Sequence, residues 1–169
     1  AFQGQTAGTK NITSITITAS GSVDYQNDIS NIGLYYDLDT SAPYNCASET
    51  YGGGETQYGS TDTNGFSATA TSTFSATVSA STTQGVCMYV VLDVDAETTS
   101  GEELDVDIAD PSVDVVRSVG SIAPASTVRL TDMTTFVTDL PTLTHYHWRS
   151  NNGSEATASS ATNGVEDSV

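Results

Sequence analysis

Apolar residues alternate with Ser, Thr and Asp along most of the chain, the period of half-buried strands rather than of helices. Residues 10–20 carry Ile12, Ile15, Ile17 and Ala19 among Asn11, Thr13, Ser14, Thr16 and Thr18, which predicts a strand with one buried face. After a turn over 21–28, residues 29–38 place Ile32, Leu34 and Tyr36 on one face and predict a second strand. Residues 39–64 are rich in Gly, Ser, Thr and Tyr and read as a long loop, with a short strand at 56–59. Over 65–81, Phe66, Ala68 and Ala70 share a parity that Phe74, Ala76 and Val78 continue, as one bent strand or two short ones. The densest apolar run, 85–95, holds Val86, Tyr89, Val90, Val91, Leu92 and Val94 and predicts the central strand. It is too short for a membrane helix. Residues 104–108 alternate again, Asp110-Pro111 interrupts them, and 113–116 read as another strand. Shorter candidates follow at 128–130, 135–138 and 143–149. Turn signals at this spacing, with no amphipathic helix, predict an all-β, Ig-like sandwich of about seven to nine strands with flexible terminal extensions. The expected division is an N-terminal arm at 1–9, the sandwich at 10–149, and a C-terminal extension or further module at 150–169.

Charge narrows the partners. Twenty-one acids against four bases give a net charge of −17 over 169 residues. Too few cations exist to neutralise a nucleic-acid backbone, or to hold an anionic membrane surface. Charged residues are nevertheless only 15% of the chain, unlike a disordered acidic tail, so a folded domain is expected. A surface of Ser, Thr, Asn, Gly and Asp points to a secreted or cell-surface protein, and Ala1-Phe2-Gln3 reads as a mature terminus left after leader cleavage. Asn11-Ile-Thr13 and Asn152-Gly-Ser154 fit the N-glycosylation pattern, making Asn11 and Asn152 candidate acceptors.

The two cysteines, Cys46 and Cys87, allow one pairing. A reactive thiol or a metal pair are the alternatives. Neither residue lies in a CxxC motif, and no nearby histidine completes a zinc set. In a chain of extracellular character a structural disulfide is expected, tying the long loop to the central strand.

Two passages carry a resemblance. Residues 29–39 (ISNIGLYYDLD) and 85–106 (GVCMYVVLDVDAETTSGEELDV) resemble β-sandwich modules of bacterial and archaeal secreted surface proteins, including pilus-like filament subunits. The segment 145–155 (HYHWRSNNGSE) is similar to one that opens a further β-rich module in large secreted bacterial proteins, although Asn151 and Asn152 stand where acids are usual. The resemblance implies surface display and assembly, not chemistry.

Candidate chemistry is sparse. Asp37 and Asp39 form an Asp-x-Asp at a strand end, and Asp93 and Asp95 close the central strand; hard oxygens in such clusters make Ca²⁺ the one cofactor considered, and none is required. The EF-hand spacing is absent. Asp105 and Asp107 alternate with apolar residues, as on a solvated outer face. His145 and His147 share a strand face but lack further zinc ligands. No GxSxG or P-loop is present, and no enzyme activity is expected. Tyr44, Tyr51 and Tyr58 punctuate the loop seven residues apart, either pinning it to the sandwich or lining a carbohydrate surface.

The expected function is an extracellular structural subunit that polymerises with copies of itself by β-strand addition. The arm, beginning Ala1, Phe2, Gln3, Gly4 and Gln5, is the expected joining segment, since it has no pattern that would dock it on its own domain. The alternative is an accessory or carbohydrate-binding module of a larger secreted adhesin or hydrolase, with glycans as partners.

Overall fold

The computed structural model describes residues 1–95, 98–124 and 134–136, all within the unit Ala1–Thr138. Its strands are β1 (Phe2–Gln3), β2 (Lys10–Gly21), β3 (Ile29–Asp39), β4 (Thr56–Gln57), β5 (Thr71–Ala80), β6 (Gly85–Val94) and β7 (Glu103–Asp107). A single helical turn, α1 (Pro111–Asp114), precedes β8 (Val115–Arg117) and β9 (Thr134–Thr135). They form two antiparallel sheets, one ordered β1-β6-β3-β4, the other β5-β2-β7-β9 with β8 also against β2. The inner faces share one core, including Ile15, Ile17, Phe74 and Val78 from the second sheet and Ile32, Leu34 and Val86 from the first. This is the expected all-β sandwich.

Local chemistry explains where the strands bend. Ile12 and Ile15 are both buried although three residues apart, because the pairing of β2 slips between Ile12 and Ser14. A bulge of this kind turns one extra residue out of step and resets the alternation. On the outer face, Thr16 and Thr73 lie opposite each other with hydroxyls 2.8 Å apart, a cross-strand pair that extends the ladder into the side chains.

Two expected strands differ. Phe66 to Ala70 is a turn: Ser67 Oγ accepts from the Thr69 and Thr71 N–H groups, and Ala70 has φ 58°. Ser and Thr hydroxyls here compete with the ladder for the backbone, so the parity shared by Phe66 and Phe74 does not reflect one strand. Asp110 likewise caps α1, its carboxylate accepting from the Ser112 N–H at 3.0 Å, so the helical turn replaces the start of the strand expected at 113–116.

The loop between β3 and β5 is held at its far end by Tyr58, which is fully buried and donates its hydroxyl to the Ala76 carbonyl at 2.9 Å. Burial pushes its phenol up to about 12. The folded value lies above that of the unfolded chain, so the stabilisation is complete below about pH 10 and lost as pH rises through about 12. Thermal melts between those limits should show a steeper fall for the native protein than for Tyr58→Phe. Parallel falls would show that Tyr58 ionisation is not coupled to unfolding.

Candidate functional site

The central strand β6 is closed at one end and open at the other. At its start, Val86 is fully buried and Cys87 is bonded to Cys46. There β1 lies along its outer edge, pairing Phe2 with Val86 and Gln3 with Gly85, and the Gly4 N–H donates to the Ser81 carbonyl at 3.1 Å. Phe2 packs against the core. The arm expected to lack any docking pattern is therefore seated on its own sheet, by one aromatic side chain and a two-residue ladder. The signal is Phe2, the one large apolar residue in 1–9.

Beyond Val86 the outer edge of β6 has no strand beside it among the described residues. The inward row Val86, Met88, Val90, Leu92, Val94 runs out from under cover, Val90 being 37% and Val94 42% exposed. Opposite stand Leu104 and Val106 of β7 and Phe136 after β9. Together they line a groove of about 390 Å³ between the sheets. An uncovered edge is a template for another strand, and apolar side chains left in water forgo about 25 cal/mol per Å². Asp93, on the outward parity of β6, and Asp95 beyond its end set carboxylates near this half of the strand. They disfavour any incoming acidic segment.

The four candidate Ca²⁺ ligands fall at opposite ends of the β3–β6 ladder. Asp37 pairs with Cys87 and Asp39 with Gly85, whereas Asp93 pairs with Asn31. Asp39 is buried and its carboxylate accepts from the Ser41 N–H at 2.9 Å and the Cys46 N–H at 3.0 Å, so it organises the loop. Asp93 accepts from the Asn31 amide at 2.9 Å, and the Asp95 N–H donates to the Asp28 carbonyl. Among the described residues no group of three or more His, Cys, Asp or Glu side chains is placed to hold a metal. Asn11 sits within β2, its side-chain oxygen accepting from the Ser79 hydroxyl at 2.9 Å. Asn152, His145 and His147 lie outside the described residues.

The outer face of the first sheet carries an aromatic cluster that the loop spacing does not reveal. Tyr35 of β3 and Tyr89 of β6 are direct cross-strand partners. Tyr51 lies across both, at ring-centroid distances of 5.7 Å and 5.8 Å. Of the three loop tyrosines only Tyr51 joins this surface; Tyr58 points into the core, and Tyr44, with φ 62°, is half-buried. Glu55 shapes the turn beside Tyr51 by accepting from the Gly52 and Gly53 N–H groups at 2.6 Å and 2.8 Å. These bonds hold its carboxyl below the usual range. Desolvation raises the phenols of Tyr51 and Tyr89, helped for Tyr51 by Tyr35 and then Glu55 and for Tyr89 by the carboxylates of Glu49, Asp37 and Glu55.

Comparison with protein-family models, with curated proteins and with solved structures gave no match.

Proposed function

We propose that this protein is a non-catalytic extracellular structural subunit that joins to further copies by β-strand addition at the edge of β6. The observation that carries this reading is the half-covered strand: β1 pairs only Gly85 and Val86, while Val90 and Val94 stay exposed beside an edge with no strand partner among the described residues. The joining segment is the arm at 1–9. It contains no acidic residue although the chain has 21, so it can approach the carboxylates flanking β6 without repulsion. It already pairs with the start of this edge within one chain, and two ladder residues hold it weakly enough to leave that seat and pair along the open half of a neighbour's β6. Each such contact is heterologous and propagates as a filament when it does not close. The disulfide suits an oxidising compartment.

Deletion of residues 1–9 should leave a folded monomer and abolish polymers. Circular dichroism reads the fold, and light scattering with negative-stain electron microscopy reads the assembly. Phe2→Asp should act in the same direction by placing an acid against the core. Undiminished polymers in both variants would exclude the arm as the joint, and a native protein that stays monomeric as it is concentrated would exclude self-assembly.

A further inference from the structure

We infer that the outer face of the first sheet is a binding shelf for a neutral glycan chain, a role separate from assembly at the β6 edge. The ladder presents outward, in order, the pairs Asp37/Cys87, Tyr35/Tyr89, Gly33/Val91 and Asn31/Asp93. Three steps of two residues span about 20 Å, the reach of a short oligosaccharide rather than of one ring. The trough beyond the tyrosines, about 110 Å³, is lined by Tyr35, Gly33, Val91, Asn31, Asp93 and Thr61.

The chemistry matches a sugar on both counts. A pyranose has an apolar C–H face and equatorial hydroxyls that both donate and accept. Tyr51, 44% exposed, supplies a ring for the first, with Tyr35 beneath it. The Asn31–Asp93 pair, bonded at 2.9 Å, supplies the second, because an amide and a carboxylate locked side by side still offer a donor and acceptors outward. On the far side of Tyr35, Gln57 is the β4 partner in the ladder and its amide donates to Thr61 at 2.8 Å, a second planar amide fixed beside the ring. Gly33 is required by this layout: a side chain there would meet the Tyr35 ring at 2.6 Å and displace it.

Two further features favour a ligand. The Tyr89 hydroxyl is sealed from water and has no hydrogen-bond partner among the described residues. Leaving a buried hydroxyl unsatisfied is unfavourable, and a ligand oxygen reaching it beside the Tyr51 ring, whose centroid lies 5.8 Å from that of Tyr89, would satisfy it. The carboxylates of Asp37, Glu49 and Glu55 act on the Tyr89 phenol. That acidic surround disfavours sulfated or uronic sugars and selects neutral ones.

The test is a glycan array on the intact native protein, followed by calorimetry with neutral hexasaccharides of glucose, mannose and xylose. The expected result is binding to at least one neutral chain, insensitive to salt, weakened roughly tenfold by Tyr51→Ala and by Asn31→Ala, which corresponds to loss of one good contact. Both positions are on the outer surface of the sheet, and unchanged melting temperatures will show that the fold is intact. Binding confined to amine-bearing glycans and abolished by salt overturns the inference in favour of charge capture. Silence across the neutral glycans, or equal affinity in both variants, overturns it outright. Assembly is read separately by microscopy, so polymers without sugar binding reject the shelf and leave the joint standing, and sugar binding by a permanent monomer does the reverse.

Discussion

Replacing Cys46 and Cys87 together with serine is expected to lower the stability of the folded protein by about 4 kcal/mol. The bond closes a sequence separation of 41 residues, and the entropy it removes from the unfolded chain grows with the logarithm of that length. The effect is large against a total of about 5–15 kcal/mol for a domain. The loop supplies little to replace it. Residues 40–55 bury no large apolar side chain, and Tyr44 and Cys46 both hold left-handed φ values of 62°, a strained conformation for residues with a Cβ. Without the covalent tie, the strain at these two residues would be opposed by the Tyr44 N–H bond to the Ser41 carbonyl, the Glu49 N–H bond to the Cys46 carbonyl, and the bonds from Ser41 and Cys46 to the Asp39 carboxylate. Urea unfolding of the oxidised protein and of the double variant gives the difference directly, and the variant should also show a larger dependence on denaturant, because its unfolded state is less compact. A loss below about 1 kcal/mol would mean that the unfolded chain keeps the loop near the strand without the bond, since closure entropy of this size would otherwise appear.

Strand identity was legible wherever one face is apolar and the other is Ser, Thr or Asp. The period marked residues 10–20, 29–38, 85–95 and 104–108, and the folded strands match these within one or two residues. The cysteine count fixed the only possible disulfide. What the period cannot express is contact at a distance. It saw Ile12 and Ile15 but not the bulge that lets both face inward, since the slip is a property of the pair β2–β5. It aligned Phe66 with Phe74 although hydroxyls at Ser67 and Thr71 break the backbone between them. It treated the arm as undocked because a single Phe2 carries no periodicity, yet one aromatic ring and a two-residue ladder are enough to seat it. The outer-face cluster is the clearest case. Tyr35 and Tyr89 are 54 positions apart in sequence, and only the register of β3 against β6 makes them neighbours. The same register separates Asp37 and Asp39 from Asp93 and Asp95, which sequence alone leaves free to be one cluster or two.

Tyr58→Ala is expected to cost about 3–5 kcal/mol, the range for removing a large aromatic from a core that relaxes incompletely. Among the described residues Tyr58 is the largest of the fully buried side chains, and it arrives from a loop rather than from a long strand. Its ring meets Tyr36 edge-to-face at 6.3 Å, its N–H donates to the Leu34 carbonyl at 2.7 Å, and its hydroxyl reaches across to the Ala76 carbonyl of β5. One residue thus ties the loop to both sheets. Truncation would leave a cavity between them, and would remove the bond to Ala76, whose loss alone is worth about 1 kcal/mol. Comparing Tyr58→Phe with Tyr58→Ala separates the two contributions: the first should lose only the hydroxyl's share, the second most of the total. The position also decides what unfolds. Because Gly59 follows with φ 78° and packs against the backbone of Ser75, freeing Tyr58 should loosen the loop and β5 together. Amide hydrogen exchange is the measurement that resolves this. Faster exchange in Tyr58→Ala at both the loop and β5, beyond the increase that β2 and β7 show from the lower global stability, is the expected pattern. Extra acceleration, beyond the global increase, confined to residues 40–57 would show instead that Tyr58 anchors the loop alone and that β5 is held by β2 without it.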